Sequence, residues 1–250
     1  MDNMLSWNIR RLNALNKQKE VRLLCSRENV GLVGLLETKI KMKNIERMAN
    51  NMFGGWQYIN NLDYHYIGRV WITWRPNYFQ VNIISGTAQA LTCQVHSITY
   101  PEGIFTNHGV CSQYQGGKEN FVELSGEYRQ GNQRPWVIIG DFNVVLNIDD
   151  RVGGNPVSLA EVVDFQGCVK VCGWIELPHQ GSRYTWNDKQ GDNKTFSKID
   201  WVFINNKWLN QMPDFNATFL IEGISDHSPM KIAQISTPRR ARRPFKYCNV

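Results

Sequence analysis

A chain of 250 residues, 42% hydrophobic and 12% aromatic, can bury a core of its own and suits one large domain. Its longest apolar run, Val30 to Leu36, is far too short to span a bilayer, and no charged segment followed by an apolar one opens the chain, which argues against a membrane span and a signal peptide. A formal net charge of +6 favours a polyanionic partner, nucleic acid first. Cys25, Cys93, Cys111, Cys168, Cys172 and Cys248 show no paired zinc spacing, and Cys93 with His96 lacks a second ligand pair. Reduced thiols in an intracellular protein account for them most simply.

Met4 to Ile9 alternates around Trp7 and reads as a strand that ends in Asn8, with Arg10 and Arg11 following. Asn8 either caps the turn or offers its amide to a phosphate or a metal-bound water. Lys17 to Arg27 places Val21, Leu24 and Cys25 on one helical face, and Val30 to Leu36 is a second, buried strand. That strand closes on Glu37-Thr38-Lys39. A glutamate at the end of an apolar strand needs a partner, and a divalent cation, Lys39 or solvent would serve. Strand, helix, strand in this order suggests a layered α/β arrangement. Trp56 to Ile59, Val70 to Trp74 and Phe79 to Ile84 are aromatic strands, the last two turning at Pro76-Asn77. Trp71 and Trp74 suit packing in a sheet better than stacking on bases. Gln94 to Tyr100 and Phe105 to Cys111 read as a hairpin, and Lys118 to Tyr128 as a helix with Phe121 and Leu124 inward.

The chain is organised around Pro135 to Val145. Trp136 to Ile139 is a continuous apolar run, punctuated by Gly140 and followed at once by Asp141 and Asn143. A carboxylate and an amide two residues apart at a strand end can face one cleft, because side chains repeat with period two. The same residues also suit a plain turn. Asp149 to Pro156 is a loop. Ser158 and Glu161 form a capping-box pattern for a helix that runs to about Val171 and stops at Gly173. Arg183 to Asn187 reads as a strand and turn. Ser197 to Ile204 reads as one strand with Asp200 in its middle, facing opposite to Ile199 and Trp201. Asp226 and His227 precede a last strand, Met230 to Ile235, and a histidine beside an aspartate is a candidate for proton transfer or phosphate binding near neutral pH. Residues 1–236 form the domain, and 237–250, with Arg239-Arg240-Ala241-Arg242-Arg243, read as a basic tail or linker.

Taken in order, Trp7-Asn8-Ile9-Arg10, Leu36-Glu37-Thr38-Lys39, Gly140-Asp141-Phe142-Asn143, Lys198-Ile199-Asp200 and Ser225-Asp226-His227 resemble the endonuclease/exonuclease/phosphatase superfamily. Gly68-Arg69-Val70-Trp71-Ile72, Asp150 to Val157, Tyr184-Thr185-Trp186 and Arg243-Pro244-Phe245-Lys246 look most like the endonuclease domain of plant LINE-type (non-LTR) retrotransposons. The resemblance implies an α/β four-layer sandwich of two packed mixed β-sheets flanked by helices, DNase I-like, with the cleft at one end of the sheets. It implies a metal-dependent phosphodiesterase that nicks DNA. Mg²⁺, or Mn²⁺, would sit on Glu37 with Asn8 and, through water, Asp226. Asp141 would orient or deprotonate the attacking water and Asn143 would hold that water or a phosphate oxygen. His227 would bind the scissile phosphate, with Asp200 fixing its tautomer and raising its basicity, and the general base is either Asp141 or the His227–Asp200 pair. Arg10, Thr185, Trp186 and Cys111 would line the phosphate and DNA side. A monomer acting on DNA in the nucleus, with a reverse transcriptase domain downstream in an intact element, completes the expectation.

The chain departs from the family pattern at several places. Cys111 stands at the position of a family tyrosine, and a thiol is a shorter and weaker donor than a phenol. Arg11 stands where glycine is usual, which matters if that residue needs a positive φ. Trp201 replaces an arginine, and Gly117 and Phe121 replace an arginine and a tryptophan. Two other readings therefore stand beside the endonuclease: a catalytically decayed remnant that still binds DNA, and an inositol-phosphate or nucleotide phosphatase of the same superfamily.

Overall fold

Alternation of side chains along the strands builds the molecule in layers. In the computed structural model, which describes residues 3–66, 69–98, 104–112 (backbone only), 134–191 and 193–235, strand β1 (Asn3–Asn8) runs parallel to β2 (Val30–Leu36) through the crossover helix α1 (Leu15–Arg27). Helix α2 (Met42–Phe53) follows, then β3 (Gln57–Asn60) and β4 (Trp71–Trp74), with β4 antiparallel to β2. On the other side of β1 lie β16 (Met230–Gln234), β15 (Phe215–Phe219) and β11 (His179–Gly181). The result is a seven-stranded mixed sheet in the order β11-β15-β16-β1-β2-β4-β3.

The second sheet has six strands. Its members, in spatial order, are β10 (Ile175–Glu176), β14 (Asp200–Ile204), β8 (Val137–Asp141), β7 (Ile104–Ser112), β6 (Ala90–Ser97) and β5 (Phe79–Gly86). A small third sheet joins β12 (Trp186–Asn187), β13 (Phe196–Ser197) and β9 (Arg151–Val152). Helix α3 (Leu159–Cys172) ends at Gly173, whose φ of +65° suits a residue without Cβ, with Trp174 N–H bonded back to Val169 O at 3.0 Å. The short α4 (Asn206–Gln211) is capped by the Asn205 side chain, which accepts from Trp208 N.

The inner faces of the two sheets meet in one core. Met4, Leu32, Leu36, Ile72 and Trp74 from the first sheet pack with Val81, Leu91, Val95, Val137, Ile139, Val202 and Ile204 from the second. The intervening residues point outward. Leu5, Trp7, Val33, Leu35 and Trp71 pack under α1 and α2, while Ile138, Trp201 and Phe203 pack with Phe165 of α3. These four layers are the sandwich expected of the sequence. Trp71 and Trp74 are buried, so they serve the sheet and not base stacking. Trp201 is wholly buried and lies 14° off parallel to Phe203, so its indole is part of the core.

Some elements differ from the sequence expectation. The single strand predicted over Ser197 to Ile204 is two, β13 and β14, separated at Lys198 and Ile199. The first half pairs with β9 and β12, the second with β8, so one run of alternating residues serves two sheets. Asp200 is therefore the first residue of β14 and not its middle. Helix α2 adds to the elements expected from the sequence, and Ile45, Met48, Ala49 and Met52 form its buried face. The predicted Lys118–Tyr128 helix, with Gly117 and Phe121, and the basic tail 237–250 lie outside the described residues.

Inner-face alternation runs on past the apolar residues at one end of the sandwich. It carries Met4, Ser6 to Asn8, Val137, Ile139 to Asp141, and Ile204, Val202 back to Asp200. Just beyond these strand ends the backbone turns left-handed at Arg10 (φ +43°), Arg11 (+59°), Glu37 (+50°), Lys39 (+50°) and Asn143 (+52°). Non-glycine residues resist this conformation, and backbone bonds hold them there: Arg11 N to Glu37 O at 2.8 Å and Leu12 N to Thr38 O at 2.9 Å. Arg11 sits where glycine was expected, and the positive φ it needs is real. Arg11→Gly should raise stability by ~0.5–1 kcal/mol, the left-handed strain relieved less the extra unfolded-state entropy of glycine. Urea denaturation at neutral pH measures this, and an unchanged or lowered midpoint would show that Arg11 bears no such strain.

Candidate active site

Three strand ends and one loop deliver the polar cluster. Asp200 pairs directly across from Asp141 in the antiparallel β14–β8 register, and Asn8 lies at the end of β1 beside Leu36 of β2. The loop before β16 supplies Ser225, Asp226 and His227. Trp7 Nε1 donates to His227 O at 2.8 Å, and Ser225 Oγ donates to Asn8 O at 2.6 Å, which ties that loop to β1. Neither Trp7 nor Ser225 received a role in the sequence reading. Both side chains donate to backbone oxygens, and such acceptors leave no pattern in the sequence.

His227 Nδ1 lies 3.0 Å from Asp200 Oδ2 and 3.2 Å from Oδ1, both groups buried. Its other nitrogen, Nε2, lies 3.8 Å from Asp141 Oδ2 and 3.4 Å from Asn8 Nδ2. Asp141 accepts from Asn8 Nδ2 at 2.8 Å through Oδ2 and from Asn143 N at 2.9 Å through Oδ1. Asn143 itself is exposed at the rim. The ligand-type atoms of Asp141, Asp200 and His227 all lie within 4.8 Å of one another.

Burial sets the protonation of this cluster. Desolvation, together with the nearby Asp200 charge, pushes the Asp141 carboxyl up to about 7, against the opposing pull of His227 and its hydrogen bonds. Desolvation alone would lower His227. The Asp200 carboxylate against Nδ1 outweighs it, helped by Asp141 and Asp226, and raises the imidazole to about 9. At neutral pH, then, His227 is an imidazolium with Nδ1 against Asp200 and Nε2–H facing Asp141.

The remaining expected residues are placed as follows. Glu37 is buried and held between Arg69 Nη1 at 3.2 Å and Lys39 Nζ at 3.4 Å. Arg69 had been part of a motif without a role; a basic residue leading into an apolar strand was the available signal. Arg10 Nη1 meets Asp226 Oδ2 at 2.6 Å, and Trp186 Nε1 donates to the same oxygen at 3.2 Å. The Trp186 indole thus positions Asp226. Thr185 lies inside the fold, where the backbone at the start of β14 takes its hydroxyl oxygen. It is wholly buried, and its Oγ1 accepts from Ile199 N at 3.1 Å and Asp200 N at 3.0 Å, which fixes the start of β14. The backbone of Cys111 stands level with Gly140 in the parallel β7–β8 pair, and its side chain lies outside the described residues.

A divalent ion fits these residues. Asn8 Oδ1 is buried and has no hydrogen-bond partner among the described residues, and Glu37, just past the neighbouring strand β2, adds two carboxylate oxygens. Hard oxygen donors of this kind suit Mg²⁺ or Mn²⁺. An unpaired buried amide oxygen is costly unless something occupies it.

Layering and site together define a DNase I-like α/β sandwich with a buried acidic and histidine cluster at the strand ends. The sequence model of the endonuclease/exonuclease/phosphatase family matches residues 5–227, and the chain belongs to that family, whose members hydrolyse phosphate esters. No curated protein sequence matches it. Among solved structures, it is similar to the endonuclease domain of TRAS1, a telomere-specific non-LTR retrotransposon, at 13% identity and a TM-score of 0.67, with 94% of this chain and 98% of that chain covered. It is also similar to the 3′-5′ exonuclease NExo from Neisseria meningitidis, at 19% identity and a TM-score of 0.67, covering 93% and 99%. An AP endonuclease from Archaeoglobus fulgidus aligns at 14% identity and a TM-score of 0.66, covering 94% and 99%. At these identities the likeness shows the fold.

The raised imidazole has a signed consequence. Its folded value of about 9 exceeds the ordinary 6.5, so the stability it contributes is fully present below 6.5 and is lost as pH rises through about 9. In metal-free protein the His227 ring should titrate near 9 by NMR. Asp200→Asn should lower that midpoint, since burial persists and the largest raising partner is gone, while Asp141 and Asp226 still act on the ring. An unshifted midpoint would remove Asp200 as the cause.

Proposed function

We propose that this protein is a metal-dependent endonuclease that nicks DNA, of the kind found in LINE-type retrotransposons. The observation that carries the proposal is the convergence of Asn8, Asp141, Asp200 and His227 into one buried hydrogen-bonded group. Arg11, exposed on the turn beside that group, suits a phosphate backbone, as does the net charge of +6. The retrotransposon motifs in the sequence favour a DNA substrate over a small phosphate ester. We assign its work to the nucleus, as a monomeric domain of residues 1–236, with 237–250 leading to a reverse transcriptase in an intact element.

The side chains divide the chemistry among themselves. His227 is held with Nδ1 on Asp200, so Nε2–H is free to donate to an oxygen of the scissile phosphate and to carry positive charge where negative charge builds. Asp141, once ionised, orients a water and accepts its proton; Asn8 Nδ2 and Asn143 N fix both of its oxygens for that task. The Asn143 side chain at the rim holds the water or a phosphate oxygen. Glu37 and Asn8 Oδ1 are the groups that would hold a divalent ion, and when bound it supplies charge stabilisation at the phosphate. Buried Asp141 must release its proton near pH 7 to act as base, which sits close to the operating pH a general base needs.

Cys111 supports a weakened form of the same activity. A thiol in place of a phenol forfeits a charged hydrogen bond of ~1.5–3 kcal/mol, roughly ten- to hundredfold in rate. Nicking of supercoiled plasmid with Mg²⁺ and with Mn²⁺ tests the reading. The parent should nick only with metal, Asp141→Ala should lose ~10²–10⁴-fold, and Cys111→Tyr should gain about ten- to hundredfold. Salt-sensitive DNA binding without cutting by any of the three folded proteins would replace the endonuclease with a DNA-binding remnant.

A further inference from the structure

Four carboxylates approach the site, and their partners are uneven. Asp200 has His227 at 3.0 Å and Glu37 has Arg69 and Lys39 at 3.2 and 3.4 Å. Asp141 has no cation nearer than His227 Nε2 at 3.8 Å among the described residues. Asp226 is engaged most tightly: Arg10 Nη1 at 2.6 Å and Trp186 Nε1 at 3.2 Å share its Oδ2, and Ser225 Oγ lies 3.4 Å from its Oδ1.

We infer that the Arg10 guanidinium is the resident cation of Asp226, so that the site takes a single divalent ion, on Glu37 and Asn8, and Asp226 is not one of its ligands. The inference rests on the metal-dependent reading above and departs from the sequence expectation that Asp226 assists the metal.

Two features make the contact a built one. Arg10 lies in a left-handed conformation, φ +43°, which aims the chain sharply away from β1, and Lys17 Nζ clamps the turn by donating to Ile9 O at 2.7 Å and Arg10 O at 2.6 Å. Trp186, from the third sheet, approaches the same carboxylate oxygen from another element. The two donors therefore reach one oxygen from separately anchored backbones. Burial pushes the Asp226 carboxyl up, yet His227 and Arg10 outweigh it and hold the group below the ordinary carboxylate range. It is therefore ionised and already compensated. A divalent ion on that oxygen would have to displace the guanidinium or sit against it, and like charges a few ångströms apart repel strongly in a partly dry site. Glu37 differs. Its two cations are longer, and Asn8, on the neighbouring parallel strand, offers a buried oxygen with no partner among the described residues.

Counting Mn²⁺ bound to the metal-free full chain by electron paramagnetic resonance tests this without reference to catalysis, with circular dichroism confirming the fold of each variant. The parent should bind one ion per chain. Asp226→Asn should still bind it with little change in affinity, Glu37→Gln should lose it, and Arg10→Ala, which frees Asp226, should gain a second and weaker one. Two ions in the parent, loss of the ion in Asp226→Asn, or an unchanged count in Arg10→Ala overturns the inference and leaves the endonuclease reading standing. No bound ion in the folded parent overturns both.

Discussion

Placing Asp200 against His227, both away from water, is the constraint on which the rest of the site depends. Two buried ionisable groups are tolerable only as a close pair, here 3.0 Å apart, and that closeness dictates where the surrounding chain must lie. Thr185 Oγ1 accepts from the amides of Ile199 and Asp200, so that β14 starts where its first residue can meet the imidazole. Trp7 and Ser225 bind the His227 loop to β1. Asn8 then stands between His227 and Asp141, donating to the latter.

The same constraint sorts the charges. With one carboxylate satisfied by the imidazole, the other in the inner cluster, Asp141, is left with desolvation and a like-charged neighbour, and its carboxyl rises to about 7. The two acids, paired residues of adjacent strands, thus sit in different surroundings: Asp200 lies against the imidazole and Asp141 is poised near neutrality. Environments that drive two similar groups apart are how a site obtains distinct acid and base roles from the same side-chain type. Around this inner group the outer carboxylates, Glu37 and Asp226, are met by Arg69, Lys39 and Arg10. The negative charge of the cleft is thereby balanced mainly by groups of the chain itself.

Backbone conformation supports this distribution. Arg10, Arg11, Glu37, Lys39 and Asn143 all turn left-handed within three residues of a strand end at the site. Sharp turns there let polar side chains double back over the end of the sandwich. Bonds between the two turns after β1 and β2 hold the conformation, so the strain is borne by a small network rather than by single residues.

Much of this could be read from the chain. Apolar runs ending in Asn8, Glu37 and Asp141 showed strands that deliver polar groups at one end, because period-two alternation is local and needs only a few residues to be visible. The ordered motifs pointed to the family and hence to the sandwich. What alternation could not show is where one strand stops serving one sheet and begins serving another, so Ser197 to Ile204 looked like a single strand and Asp200 like its middle. Nor could residue type reveal partners far apart in the sequence: a threonine that looked available for phosphate lies buried under two amides, a tryptophan expected at DNA holds a carboxylate, and Arg10 turns to Asp226, 216 residues away. Local pattern determined the elements and the kinds of chemistry they could carry. Only the tertiary structure decided which groups are buried together, and it is burial and proximity that assign each group its charge.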